Sequence, residues 1–282
     1  MAADNAARFL LFRYQLLPIN RHFQGDFLIG STLEDLLAKK NDIFHQVLLN
    51  TRSFSGRSEI KAKLLRDEGD FLLYRIGANR GISRENPDFS KEDLEHWPSV
   101  LVAIWNAPDQ QLVAVQKRTS AFRKPDTVIR TIFDTADAGL RGSQLSAIWE
   151  PLFEQSVFWD LARKYEAKIR EIEFEIVTPN MANISGALPE NLKEFAKRTN
   201  SVRNKLAIAS DPAAALTINE DDATLRGLVD YSAKGGGDIA IRITGMKKRI
   251  HTSKSVREVE ISEVELQGDP QQVGEALRAL MA

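Results

Sequence analysis

The chain has 282 residues, 43% of them hydrophobic, and a formal net charge of −1. That apolar content is enough for one large domain or two small ones and argues against disorder, and the near-neutral balance supplies no global field toward nucleic acid or membranes. There is no cysteine, which excludes disulfides, thiolate metal sites, iron–sulfur clusters and cysteine nucleophiles.

The first strong element is Phe9–Leu17, an apolar stretch interrupted by Arg13 and Gln15 and ended by Pro18; it reads as a strand. Met1–Ala7 before it is small and polar, with no basic region, so no export signal is expected. The longest wholly apolar run, Val100–Trp105, has six residues, whereas a bilayer needs about 20. A cytoplasmic protein without membrane insertion is therefore expected.

A loop is expected over Ile19–Gly30. Ser31 then begins a helix, with Glu34 three residues on as a capping box and Leu33, Leu36, Leu37, Phe44, Val47 and Leu48 on its apolar face. Asp70–Ile76 reads as a strand. Ser99–Trp105 and Leu112–Gln116 form a hairpin around Pro108-Asp109, two residues that suit the centre of a type I turn. Its unbroken apolar character points to a mid-sheet position. Asp126–Leu140 is helical, and Ser143–Phe153 is ambiguous because of Pro151. Phe158, Leu161, Ala162, Tyr165 and Ile169 keep helical spacing, and Glu171–Val177 alternates as a strand with one wet face. Leu188–Thr199 reads as a helix and Lys205–Ala209 as a strand. Asn219 is expected to cap a helix that stops at Gly235-Gly236-Gly237. Strands follow at Asp238–Thr244 and Val256–Leu266, and Asp269-Pro270 opens a last helix with Gln272 completing its capping box and Val273, Ala276, Leu277 and Leu280 facing inward.

Interleaved helices and hairpins favour an α+β fold with mixed, mostly antiparallel sheets. The best linker-like break is Arg141-Gly142-Ser143, which divides the chain into halves 1–142 and 143–282; one continuous domain is the alternative.

Two basic clusters stand out. From Lys234 to Arg257 there are seven cations, Lys234, Arg242, Lys247, Lys248, Arg249, Lys254 and Arg257, against the single acid Asp238. The centre, 245–254, reads as an exposed loop between strands that could follow a phosphate backbone. The bland alternative is a solvated tip balanced by Glu258, Glu260, Glu263 and Glu265. The second cluster is Lys117, Arg118, Arg123, Lys124 and Arg130, with Phe122 either stacking on a base or packing inward.

Other patterns carry less. Lys234-Gly-Gly-Gly-Asp238 follows a helix and opens a strand, the reverse of a phosphate-binding loop, so a glycine helix stop explains it. Glu171, Glu173 and Glu175 share a strand face, but neighbours at i and i+2 lie roughly 6–7 Å apart, too far to share one metal ion without help. Glu59-Ile-Lys61 has the Glu-x-Lys form of some nucleases but sits in a polar segment. His22, His45, His96 and His251 are scattered without metal-ligand spacing. The tryptophans Trp97, Trp105, Trp149 and Trp159 are expected in packing. No cofactor is implied.

The stretch Glu171-Ile-Glu-Phe-Glu-Ile-Val-Thr-Pro-Asn180, followed by a short helix and then a helix ending in glycines before a strand, resembles a pattern in uncharacterised bacterial proteins encoded beside antiviral defence genes. The resemblance implies a bacterial defence component and no catalytic residues. The expectation is a non-enzymatic binding or sensing subunit that engages a protein partner or nucleic acid. Its contacts would come from Lys247, Lys248, Arg249, Lys254, Arg257, Lys117, Arg118, Arg123 and Lys124. The competing expectation is a divalent-metal nuclease using acids such as Glu171 and Glu173, and the third a purely structural subunit.

Overall fold

The computed structural model describes residues 6–20, 32–51, 59–177, 190–262, 266 and 269–279, which contain six helices and thirteen strands in mostly antiparallel sheets. The fold is α+β. Among the described residues no helix is long and apolar enough to cross a membrane. The chain divides into two compact units, one made of residues 1–10, 39–147 and 258–282, the other of 11–38 and 148–257.

The first unit holds the start of β1 (Ala6–Pro18), most of α1 (Leu33–Asn50), β2 (Ile60–Asp67), β3 (Phe71–Ala78) and the hairpin β4 (Ile82–Glu85) and β5 (Lys91–Leu94). It continues with β6 (Ser99–Ala107), β7 (Gln110–Gln116), α2 (Pro125–Arg141), the start of β8 (Leu145–Pro151), β13 (Glu258–Ser262) and α6 (Pro270–Ala279). The main sheet runs β13-β1-β7-β6-β3-β2, with β8 paired to β1 off that path. The β6–β7 hairpin pairs Ala107 with Gln110 across Pro108-Asp109 and lies mid-sheet, buried along both strands. Helix α2 buries Val128, Ile129, Ile132, Phe133, Ala136 and Leu140. Phe133 stacks on Phe44 of α1 at 5.8 Å, and each such side chain removed from water contributes about 1.5–3 kcal/mol.

Local signals differ from expectation in two places here. The capping box of α1 is Thr32 with Asp35: the Asp35 N–H donates to Thr32 Oγ1 (3.2 Å) and the Thr32 N–H donates to Asp35 Oδ2 (2.9 Å). Ser31, like the expected loop at 21–30, lies outside the described residues. The polar segment around Lys61 is a strand after all: β2 pairs with β3 along its length, and its edge position leaves Lys61 and Lys63 exposed. Glu59 sits just before that strand, and Lys61 lies 3.3 Å from it and over the Trp97 ring.

The second unit holds the rest of β1 and β8, then α3 (Gln155–Lys164), β9 (Ile169–Val177), α4 (Glu190–Arg198), β10 (Arg203–Ala209), α5 (Ala223–Tyr231), β11 (Gly237–Ile243) and β12 (Ile250–His251). Its sheet is antiparallel in the order β10-β9-β11-β12. The apolar face of β9, Ile172, Phe174 and Ile176, packs in one core with Phe158 and Trp159 of α3 and with Leu228, Val229 and Tyr231 of α5. Helix α3 stops at Lys164, with Ala167 at φ 57°, so Tyr165 and Ile169 belong to the turn and to β9 rather than to a longer helix. The cap of α5 is Asp222, whose carboxylate accepts from the Leu225 N–H at 2.8 Å; Asn219 instead closes the preceding turn by accepting from Asp221 N–H.

Candidate anion-binding site

Strand β3 is buried at every position except one: Arg75 emerges from Phe-Leu-Leu-Tyr-Arg-Ile-Gly-Ala into solvent. A strand alternates its side chains, and a lone cation in an apolar run marks the face that is open. Arg75 lies opposite Leu101 of β6 on one side and opposite Lys63 of β2 on the other.

On that face the first unit has a cavity of about 430 Å³. Arg8, Arg75, Lys117 and Arg118 line it, with Ser99 and Gln116 as polar neighbours, and no acidic residue is among the described lining residues. Each cation is held differently. Arg8 Nε lies 2.9 Å from Glu260 and Lys117 Nζ lies 2.6 Å from Glu258. Arg118 Nη1 donates to the Ser99 carbonyl at 3.0 Å, and Gln116 Oε1 accepts from the Leu101 N–H at 3.0 Å. Arg75 has no ion-pair or hydrogen-bond partner among the described residues. The floor is apolar and buried: Ala7, Val100, Leu101 and Leu266. A cavity of this size with a mostly polar lining suits a small charged ligand or the charged end of a larger one. Guanidinium groups make it a site for oxyanions, which they can grip bidentately.

The structure therefore gathers two expected residues, Lys117 and Arg118, with two that the sequence reading left aside, Arg8 and Arg75. Arg123 and Lys124 are exposed just before α2 and do not line the cavity. Phe122 is buried, beneath Arg80, so it packs inward and presents no face to a base.

In the second unit four of the seven cations of the basic segment are paired among the described residues, three of them with acids distant in sequence. Lys234 pairs with Asp230 at 2.9 Å, Arg257 with Glu154 at 3.0 Å and Arg242 with Glu171 at 3.3 Å. Arg249 reaches Glu171 at 2.7 Å and Glu173 at 2.8 Å, so it is anchored to the sheet rather than loose in the loop. Lys247, Lys248 and Lys254 remain exposed. Of the acids expected to balance the loop, Glu263 and Glu265 lie outside the described residues, and Glu258 and Glu260 pair with the cavity cations of the first unit. Replacing Lys247 and Lys248 by alanine should thus leave stability within about 0.5 kcal/mol, while Arg249→Ala should cost about 1 kcal/mol by stripping a shared cation from two glutamates. Equal loss in the two variants on chemical denaturation would contradict this division.

The three glutamates of β9 serve as counter-ions. Lys205 of β10 lies 2.9 Å from Glu173 and 3.7 Å from Glu175, and Arg203 lies 2.7 Å from Glu175 and 2.6 Å from Glu150. Hydrogen bonds from Lys205 and then Arg249 hold the Glu173 carboxyl below its ordinary value of 4.5. Glu150 moves the other way, because burial outweighs the adjacent Arg203. The stability that Glu173 supplies is complete above pH 4.5 and is lost as pH falls from there through its lowered value. Acid denaturation should therefore show a decline beginning near pH 4.5 that Glu173→Gln makes shallower; an unchanged profile would remove Glu173 from the account. Among the described residues no group of His, Asp or Glu is arranged to hold a metal ion.

The Lys234–Asp238 glycines are the helix stop expected of them, with an added π turn over Ser232–Gly236. Asp238 is bonded within its own neighbourhood, by His251 Nδ1 at 2.6 Å and by the Ser253 N–H at 2.9 Å.

No protein-family model matches the chain, and no curated protein and no solved structure matches it.

Proposed function

We propose that the protein is a non-enzymatic binding component that holds phosphate groups of a nucleic acid in the basic cavity of its first unit. The observation that carries this reading is the convergence of Arg8, Arg75, Lys117 and Arg118 on one cavity without an acidic lining residue among those described. The resemblance of the Glu171–Asn180 region points to a bacterial antiphage complex as the setting. Exposed Lys247, Lys248 and Lys254 then act as secondary, screened contacts that raise association rates.

A protein partner is the second reading, and it has its own support. Among the described residues the β4–β5 hairpin pairs only with itself, and Phe89 at its tip is 87% exposed in a left-handed conformation. Ile82 at its base is 44% exposed. Exposed aromatics of this kind are typical anchors at protein interfaces.

Fluorescence anisotropy of a labelled single-stranded oligonucleotide, measured against salt, tests the first reading. Each phosphate neutralised on a single strand contributes about −0.7 to the slope of log K against log salt, so three or four contacts give roughly −2 to −3. Absence of binding at low salt, together with a stoichiometric protein that co-purifies and is lost on Phe89→Asp, would put the hairpin reading first.

A further inference from the structure

The charges in the cavity fit one kind of phosphate better than another. Four cations line it, and the carboxylates that hold them number two among the described residues: Glu258 pairs with Lys117 and lies near Arg8, and Glu260 pairs with Arg8. Among the described residues two positive charges are left uncompensated. An internal phosphodiester offers one negative charge, whereas a terminal phosphate carries roughly −1.5 to −2 at neutral pH and three acceptor oxygens. The donors are also distributed for a terminal group. Among the described residues Arg75 keeps its whole guanidinium fork, and Arg118, fixed through one nitrogen by the Ser99 carbonyl, keeps the others. Arg75 is carried by β3, which is otherwise buried along its length and paired on both sides, so its fork is presented from a rigid base.

The cost of this arrangement is visible in the sheet. Lys63 and Arg75 lie directly opposite each other on β2 and β3. Like charges in that relation destabilise a sheet, and an anion bound at Arg75 would offset the repulsion although Lys63 itself does not line the cavity.

We propose that the cavity takes the terminal phosphate of a nucleotide, free or at the end of a strand, through Arg75 and Arg118 with Arg8 and Lys117 as flanking charges. This rests on the reading of the cavity as a phosphate site and adds which phosphate it selects. The test uses the full chain and single-stranded hexamers labelled at the 3′ end, bearing either a 5′-phosphate or a 5′-hydroxyl. The phosphorylated hexamer should bind about tenfold tighter or better, since charge-assisted bidentate contacts are the strong ones. Arg75→Gln should bring the two affinities together, and Lys117→Gln should narrow the gap part of the way; circular dichroism confirms that each variant is folded. Adenosine 5′-monophosphate that displaces the phosphorylated hexamer at equal concentration assigns the site to a free nucleotide. Weaker displacement, with adenosine inert, assigns it to a strand end. Equal affinity for the two hexamers would overturn the terminal-phosphate assignment and leave backbone binding standing. Binding of neither hexamer would remove both, and displacement by adenosine as effective as by the monophosphate would overturn the role of phosphate itself.

Discussion

Replacing Gly237 with alanine is expected to cost more than about 4 kcal/mol and to leave the second unit largely unfolded at 37 °C. Gly237 joins the π turn to β11 at φ 143° and ψ −162°, a region that side-chain-bearing residues essentially do not enter. A Cβ built there would lie 1.7 Å from the Glu175 carbonyl oxygen, which is backbone of the neighbouring strand and cannot swing aside. Relief would require β11 to part from β9, which it pairs with from Gly237 to Ile243, over the core of Phe174 and Ile239. The two glycines before it are as constrained: a Cβ at Gly235 would meet Arg13 at 2.5 Å and one at Gly236 would meet the Tyr231 ring at 2.2 Å. Thermal denaturation followed by far-ultraviolet circular dichroism reads the effect, and a Gly237→Ala protein within about 1 kcal/mol of wild type would show that the turn has another conformation.

Arg75→Glu should reduce affinity for a phosphorylated strand by about 100-fold or more, the equivalent of roughly 3 kcal/mol. The substitution removes the fork and places a carboxylate in a cavity whose lining is otherwise basic. Stability should move the opposite way. Arg75 is exposed, and a glutamate in its place faces Lys63 as an opposite charge where a like charge stood. Cross-strand pairs of that kind contribute about 0.2–1 kcal/mol. A variant that binds worse and melts at the same temperature or higher separates a binding role from a structural one. Loss of stability in proportion to loss of binding would mean that Arg75 holds the sheet together.

Which parts of this were legible in the sequence follows from what a local pattern can encode. The β6–β7 hairpin and β9 were legible because apolar runs and strict alternation are properties of neighbouring residues. β2 was missed because, as an edge strand, it exposes Lys61 and Lys63 and looks polar. The hairpin β4–β5 is exposed at every position and has no apolar signature at all. Helix ends slipped where two candidates competed: Thr32 and Asp222 hold the caps that Ser31 and Asn219 seemed to offer, and α3 ended a turn before its apolar spacing did.

Charge was the least legible property. Counting along 234–257 finds cations in excess, but their counter-ions Glu154, Glu171 and Glu173 are contributed by other elements, and only folding reveals the cancellation. The cavity is the converse case. Arg8 lies on β1, Arg75 on β3 and Lys117-Arg118 just after β7, so only the last two are neighbours in sequence. One signal was present all the same: a single arginine inside the otherwise apolar Phe71–Ala78.

The central claim is that phosphate is held by the cavity of the first unit and not by the basic loop of the second. The most direct measurement compares the affinity of one 5′-phosphorylated strand for three proteins at the same low salt: wild type, Arg75→Glu, and the double variant Lys247→Ala with Lys248→Ala. The expected result is a loss of about 100-fold in the cavity variant and less than about threefold in the loop variant, since rim charges act mainly on association rate. A cavity variant that binds like wild type, beside a loop variant that has lost binding, would contradict the account.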